Sequence, residues 1–139
     1  MPRVTSWLKP TTTVYAHCDI PCGIYDPHAA ELAARTVARM VEMIGKLPIE
    51  NPSVADRANL VRCITIKEQH AEIVKHEIQV IWSDYFKAEH VERYPDLHDR
   101  TWKILKLASK NKQNIDAAAA AELEAAVKEF ADIFWSTKK

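Results

Sequence analysis

The chain has 139 residues, enough for one domain with its own core, and its 19 basic and 19 acidic residues give zero net charge. Zero charge excludes nucleic-acid or anionic-membrane binding driven by bulk charge, and only two glycines, Gly23 and Gly45, exclude a Gly-rich phosphate loop and a turn-rich sandwich. Three scattered cysteines, Cys18, Cys22 and Cys63, do not make a disulfide framework.

Residues 1–16, MPRVTSWLKPTTTVYA, lack the apolar stretch of roughly 7–15 residues that a secretory signal needs. No apolar run in the chain approaches the roughly 20 residues that span a bilayer, so no membrane association is expected. Pro2, Pro10 and the run Thr11-Thr12-Thr13 make this leader read as an extended tail. Arg3 and Lys9 give it a charge of +2, so residues 17–139 carry −2. The missing signal and the free thiols point to the cytoplasm.

The next segment, His17-Cys18-Asp19-Ile20-Pro21-Cys22-Gly23-Ile24-Tyr25, packs one imidazole and two thiols into six residues. Pro21 and Gly23 bend the chain around them. The Cys-x-x-x-Cys spacing differs from that of thioredoxin-like redox pairs, and no βαβ pattern surrounds it. A structural zinc site would want a fourth side chain. Spacing alone leaves a metal site, a redox dithiol and an inert tail open.

Everything beyond reads as helix. Asp26 and Pro27 signal a helix start. Val37, Met40, Val41 and Ile44 then share one face, and Gly45 followed by Pro48 is the stop. A second, long helix is predicted from Pro52-Ser53 to about residue 86, with Leu60, Ile64, Ala71, Val74, Ile78, Ile81, Trp82 and Tyr85 on its inner stripe. Pro95 breaks the following stretch. A third helix carries Leu97, Thr101, Ile104 and Ala108, and the polar run Ser109 to Asn114 reads as a loop. Asp116 opens a fourth, Ala-rich helix whose inner face is Leu123, Ala126, Val127, Phe130 and Phe134. Four amphipathic helices joined by short links predict an all-α, antiparallel up-and-down four-helix bundle with the His17–Tyr25 hook at its N-terminal end.

The bundle itself carries no catalytic pattern. No Glu has a His three residues later, which excludes the carboxylate–histidine pairs of di-metal bundles, and no His-Glu-x-x-His is present. His70 and His76 fall on nearly opposite helix faces. Lys67-Glu68-Gln69-His70 reads as a solvated face, and Cys63 as a small core hydrophobe. Any chemistry therefore belongs to residues 17–25.

There the chain resembles the nickel superoxide dismutase family. Its pattern, His-Cys-x-x-Pro-Cys-x-x-Tyr, is met at His17, Cys18, Pro21, Cys22 and Tyr25. The likeness continues at Ile66-Lys67-Glu68-Gln69, Trp82-Ser83-Asp84-Tyr85-Phe86-Lys87, Tyr94-Pro95, Ile133-Phe134-Trp135 and Thr137-Lys138-Lys139, and so covers residues 17–139. The resemblance turns the leader into a pro-segment, residues 1–16, removed by a processing protease between Ala16 and His17. It implies one nickel ion per subunit, held by the freed amine of His17, the amide nitrogen of Cys18 and the thiolates of Cys18 and Cys22. Two nitrogens and two sulfurs suit square-planar Ni(II). The His17 imidazole would be the fifth ligand of the oxidised form.

The implied activity is superoxide disproportionation through Ni(III)/Ni(II) cycling, in a homohexamer whose hooks are ordered by neighbouring subunits. The resemblance makes Tyr25 the gatekeeper, supports it with Tyr85, and assigns Arg62 to the axial imidazole. The family's first-helix Glu falls on Ala33 here, so either Glu31 or another carboxylate substitutes, or the imidazole is held differently. Lysines near the site would steer an anionic substrate. The alternative reading is a non-catalytic helical bundle that binds nickel or zinc, and a third is a dithiol redox protein.

Overall fold

The computed structural model describes residues 23–138, so the leader and the metal-ligand candidates His17, Cys18 and Cys22 lie outside the described residues. Five α-helices follow in order: α1 (His28–Gly45), α2 (Val54–Val80), α3 (Ala88–Arg93), α4 (Leu97–Gln113) and α5 (Ala117–Thr137), with a π-helical turn at Ile81–Tyr85 between α2 and α3. Among the described residues there is no strand, and no helix is long and apolar enough to cross a membrane. The long helices form a ring. α1 packs on α2 and α5, and α4 packs on the same two, as expected for a four-helix bundle with sequential neighbours.

Side-chain hydrogen bonds mark the starts of α1, α2 and α5. Asp26 Oδ1 accepts the His28 N–H at 2.8 Å at the entry to α1. Ser53 and Asp56 form a reciprocal pair at the start of α2: Ser53 Oγ accepts from Asp56 N at 3.1 Å, and Asp56 Oδ2 accepts from Ser53 N at 2.9 Å. Asp116 Oδ1 accepts from Ala118 N and Ala119 N at 2.9 and 3.1 Å, as its position before the alanine run predicts. These amide bonds, with Lys110 nearby, hold the Asp116 carboxyl below its usual 3.8. A depressed carboxyl contributes stability that is complete above the unfolded pKa and is lost as pH falls through the folded one. Asp116→Ala is therefore expected to lower the thermal midpoint at pH 7. Thermal melts of wild type and D116A should converge as the pH falls below 3.8; a constant gap down to pH 2 would refute this.

The core follows the predicted faces with four corrections. Val37, Val41, Val74, Ile78, Leu123, Val127, Phe130 and Phe134 are buried as expected. Trp82, placed on the inner stripe of the second helix, instead lies at the surface, where its Nε1 donates to His98 Nδ1 at 2.9 Å. The π-helical turn explains the shift, because one extra residue per turn rotates the register after Val80. The segment before Pro95 also holds a short helix, α3, that apolar periodicity does not signal.

The run Ser109–Asn114 is not a loop as far as Gln113. Asn111 is fully buried and its Nδ2 donates to Leu107 O at 3.0 Å and Ala119 O at 2.9 Å, tying α4 to α5. The Asn111 side chain thus bonds another helix instead of meeting water, while Lys110 and Gln113 beside it remain exposed. Lys67 corrects the solvated-face reading. It is 1% exposed, and its ammonium donates to the carbonyls of Asn111, Lys112 and Asn114 at the end of α4. Cys63 is buried as a core hydrophobe, and the His70 ring bonds its own helix through Ile66 O.

Candidate functional site

The chain enters the described region through Gly23, whose φ of 71° lies in the left-handed region that side chains disfavour. Nothing lies within 4 Å of where a Cβ would stand, so the conformation rather than space calls for glycine. This turn carries the chain into a cleft of about 460 Å³ lined by Gly23, Tyr25, Asp84, Tyr85, Lys87, Glu89, His90, Thr137 and Lys138.

Tyr25 and Tyr85, predicted as a pair 60 residues apart, meet here. Their ring centroids are 5.7 Å apart, tilted at 56°. Tyr25 is 8% exposed although it lies only three residues before α1. The π-helical turn is what aims Tyr85 into the cleft, and it ends with Phe86 N donating to Ile81 O at 3.2 Å. Phe86 then turns into the core against Phe130 and Phe134. Tyr85 sits in an aromatic cage, with Phe134 at 4.5 Å, Phe86 at 5.2 Å and His90 stacked nearly parallel at 5.6 Å.

Two residues not anticipated from the sequence complete the wall. His90 Nδ1 accepts from the Lys87 backbone N–H at 3.0 Å, so in the neutral ring the proton is on Nε2, which lies 3.7 Å from a Glu89 carboxylate oxygen. Lys138 Nζ donates to Tyr25 O at 2.8 Å and lies over the rings of Phe134 and Trp135 at 5.1 and 5.3 Å. A histidine three residues past a lysine carries no sequence signal of its own. The terminal Thr137-Lys138 is visible only as part of the family likeness.

Charge in the cleft is balanced. Lys87 and Lys138 face Asp84 and Glu89, and the Lys138 ammonium is engaged by a carbonyl. The steering field expected from lysines is therefore offset locally by two carboxylates.

Arg62 is not brought to this cleft. It is exposed in a separate groove between α1 and α2, beside Met40, Met43, Asn59, Cys63 and Ile66. It precedes Tyr85 by 23 residues of continuous helix, on the order of 35 Å. Within one chain it is not placed to hold an imidazole beside the two tyrosines. Ala33 is 2% exposed inside the bundle, and Glu31 is half-buried in the first turn of α1. Among the described residues no three His, Cys, Asp or Glu side chains are grouped to hold a metal ion.

The family described as nickel-containing superoxide dismutase matches residues 12–138. The superoxide dismutase [Ni] of Streptomyces coelicolor is 42% identical over 131 residues, covering 94% of each chain. That of Streptomyces seoulensis is 38% identical over 130 residues, again 94% of each. A native nickel superoxide dismutase structure superposes with a TM-score of 0.77 at 39% identity, over 88% of this chain and 100% of the other.

Proposed function

The chain belongs to the nickel-containing superoxide dismutase family, and we propose that its nickel is held by the His17–Cys22 segment beside the Tyr25–Tyr85 cleft. Its activity is the disproportionation of superoxide: two superoxide ions and two protons give dioxygen and hydrogen peroxide. Relatives named as enzymes favour this over a non-catalytic nickel- or zinc-binding bundle.

The donor set fits the metal. The His17 amine, the Cys18 amide nitrogen and the thiolates of Cys18 and Cys22 make two nitrogens and two sulfurs, a set that suits Ni(II), and the His17 imidazole adds a fifth donor. When bound, nickel supplies the one-electron exchange with superoxide. The rest is done by the chain. Tyr25, the last residue of the hook pattern, is buried against Tyr85 in the cleft, which supports a metal-binding segment beside it. That placement is the observation that carries the reading. The two phenols order substrate or water in a small space walled by Phe86, Phe134 and His90.

Three finer elements belong to the same proposal. Residues 1–16 form a pro-segment removed by a protease before His17, since acylation takes the free amine out of the donor set. The subunits form a homohexamer; the exposed Leu32, Met43, Val61 and Ile66 on α1 and α2 supply apolar surface for it, and a nine-residue hook is too short to bury itself. The compartment is the cytoplasm, whose reducing conditions keep the thiols free.

The test is residues 17–139 with a free His17 amine. The wild type should bind one nickel per chain and consume superoxide, whereas Cys18→Ser and Cys22→Ser should each lose both properties. Nickel bound undiminished in the serine variants would sink the ligand assignment, and absence of activity in the loaded wild type would sink the function.

A further inference from the structure

The cleft's tyrosines are gripped from the end of α5 by two residues to which the reaction as proposed assigns no part. Thr137 Oγ1 lies 2.7 Å from Phe134 O and 3.1 Å from the Tyr85 hydroxyl. A threonine hydroxyl has one proton, and a carbonyl can only accept. The Thr137 proton therefore goes to Phe134 O, and Thr137 Oγ1 is left to accept from Tyr85. The Tyr85 O–H is thus aimed at α5, and the lone pairs of its oxygen are left for the cleft. One residue earlier the same arrangement recurs: Ser136 Oγ donates to Ile133 O at 2.6 Å, so Tyr94, 2.7 Å away, is its donor.

Lys138 grips the other tyrosine. Its ammonium crosses 113 residues of sequence to the Tyr25 carbonyl and is held over two aromatic rings, so its direction is set by three contacts. Tyr25 is the residue at which the hook pattern ends and the bundle begins.

We propose that Thr137 and Lys138 are positioning residues for the dismutase reaction: Thr137 fixes the direction of the Tyr85 hydroxyl, and Lys138 fixes the backbone from which the metal-binding segment departs. A phenol oxygen presented as an acceptor suits an O–H donor, that is, water or the hydrogen peroxide product, rather than the superoxide anion itself. Tyr85 then holds the water that relays solvent protons, two of which each turnover consumes. This rests on the role proposed above for the tyrosines.

Two measurements separate the ideas. Ultraviolet resonance Raman of the full, nickel-free chain reads the hydrogen-bond state of tyrosine through its ring doublet. Thr137→Val should shift that doublet away from the donor state, Thr137→Ser should restore it, and the shift should vanish in a Tyr85→Phe background. No shift in T137V overturns the Thr137 assignment. In nickel-loaded chains starting at His17, T137V should keep its nickel, lose activity by about tenfold and change its solvent isotope effect, with T137S near wild type. Unchanged kinetics in T137V would overturn its part in the reaction. If Y85F itself retains full activity, the tyrosine reading fails while the spectroscopic assignment stands. Lys138→Met keeps the stem over Trp135 but removes the donor; nickel should dissociate about tenfold faster, and Lys138→Arg should recover it. Equal dissociation from K138M and wild type would overturn the Lys138 assignment.

Discussion

A chain that keeps residues 1–16 attached is expected to consume superoxide at least on the order of 100-fold more slowly than one beginning at His17, with nickel affinity falling in parallel. The reason is the nitrogen. In the intact chain the His17 nitrogen is part of the Ala16–His17 peptide bond, its lone pair delocalised into the carbonyl. Proteolysis turns it into an amine, a far better ligand. A chain with a single alanine left before His17 distinguishes the causes. If the amine is what matters, one residue should be as damaging as sixteen; if the leader acts by covering the cleft, one residue should be harmless. Activity measured on equal amounts of the three forms decides between them. Full activity of the intact chain would refute the ligand assignment altogether.

The second large effect concerns stability. Lys67→Met is expected to lower the thermal midpoint by roughly 10 °C, following a loss of about 3 kcal/mol. The last turn of a helix leaves its carbonyls without intrahelical partners, and the negative end of the helix dipole gathers there. At the end of α4 the acceptors are Asn111 O, Lys112 O at 3.1 Å and, from the residue that caps the helix, Asn114 O at 2.9 Å, all bonded by the one Lys67 ammonium from α2. Burial pushes the Lys67 pKa below the usual 10.5, with the neighbouring Glu68 charge opposing that shift. The three carbonyls offset the cost of burying the ammonium. Methionine fills nearly the same volume, so the experiment removes the donor with little change in packing. A melt within 2 °C of wild type would show that water satisfies those carbonyls equally well.

Lys67 also marks where reading the sequence stops being reliable. Surrounded by Glu68, Gln69 and His70, it looks like any solvated lysine, because nothing in a linear pattern says that the end of another helix lies opposite. Asn111 is misread for the same reason: a polar residue in a polar run is a loop signal unless its amide is aimed at α5. Trp82 fails differently. Its periodicity is sound for an α-helix, but the chain there winds as a π-helical turn, and one extra residue per turn moves the indole to the surface. The caps, by contrast, are local chemistry. Asp26, Ser53 and Asp116 each bond amides within three residues, so sequence suffices to find them.

The site divides along the same line. The His17–Tyr25 pattern is a local constellation of donors that residue type and spacing mark as a candidate metal site, and the family resemblance, not spacing, points it to nickel; the all-α class and the apolar faces of α1, α2 and α5 are periodic features of the chain. The tertiary structure decided what surrounds that pattern. It joined Tyr25 to Tyr85, stacked His90 on Tyr85, brought Thr137 and Lys138 onto the two tyrosines from the far end of the chain, and left Arg62 in a different groove. Sequence reports forces that act over a few residues, whereas contacts across 52 or 113 residues exist only once hydrophobic burial has set the helices side by side.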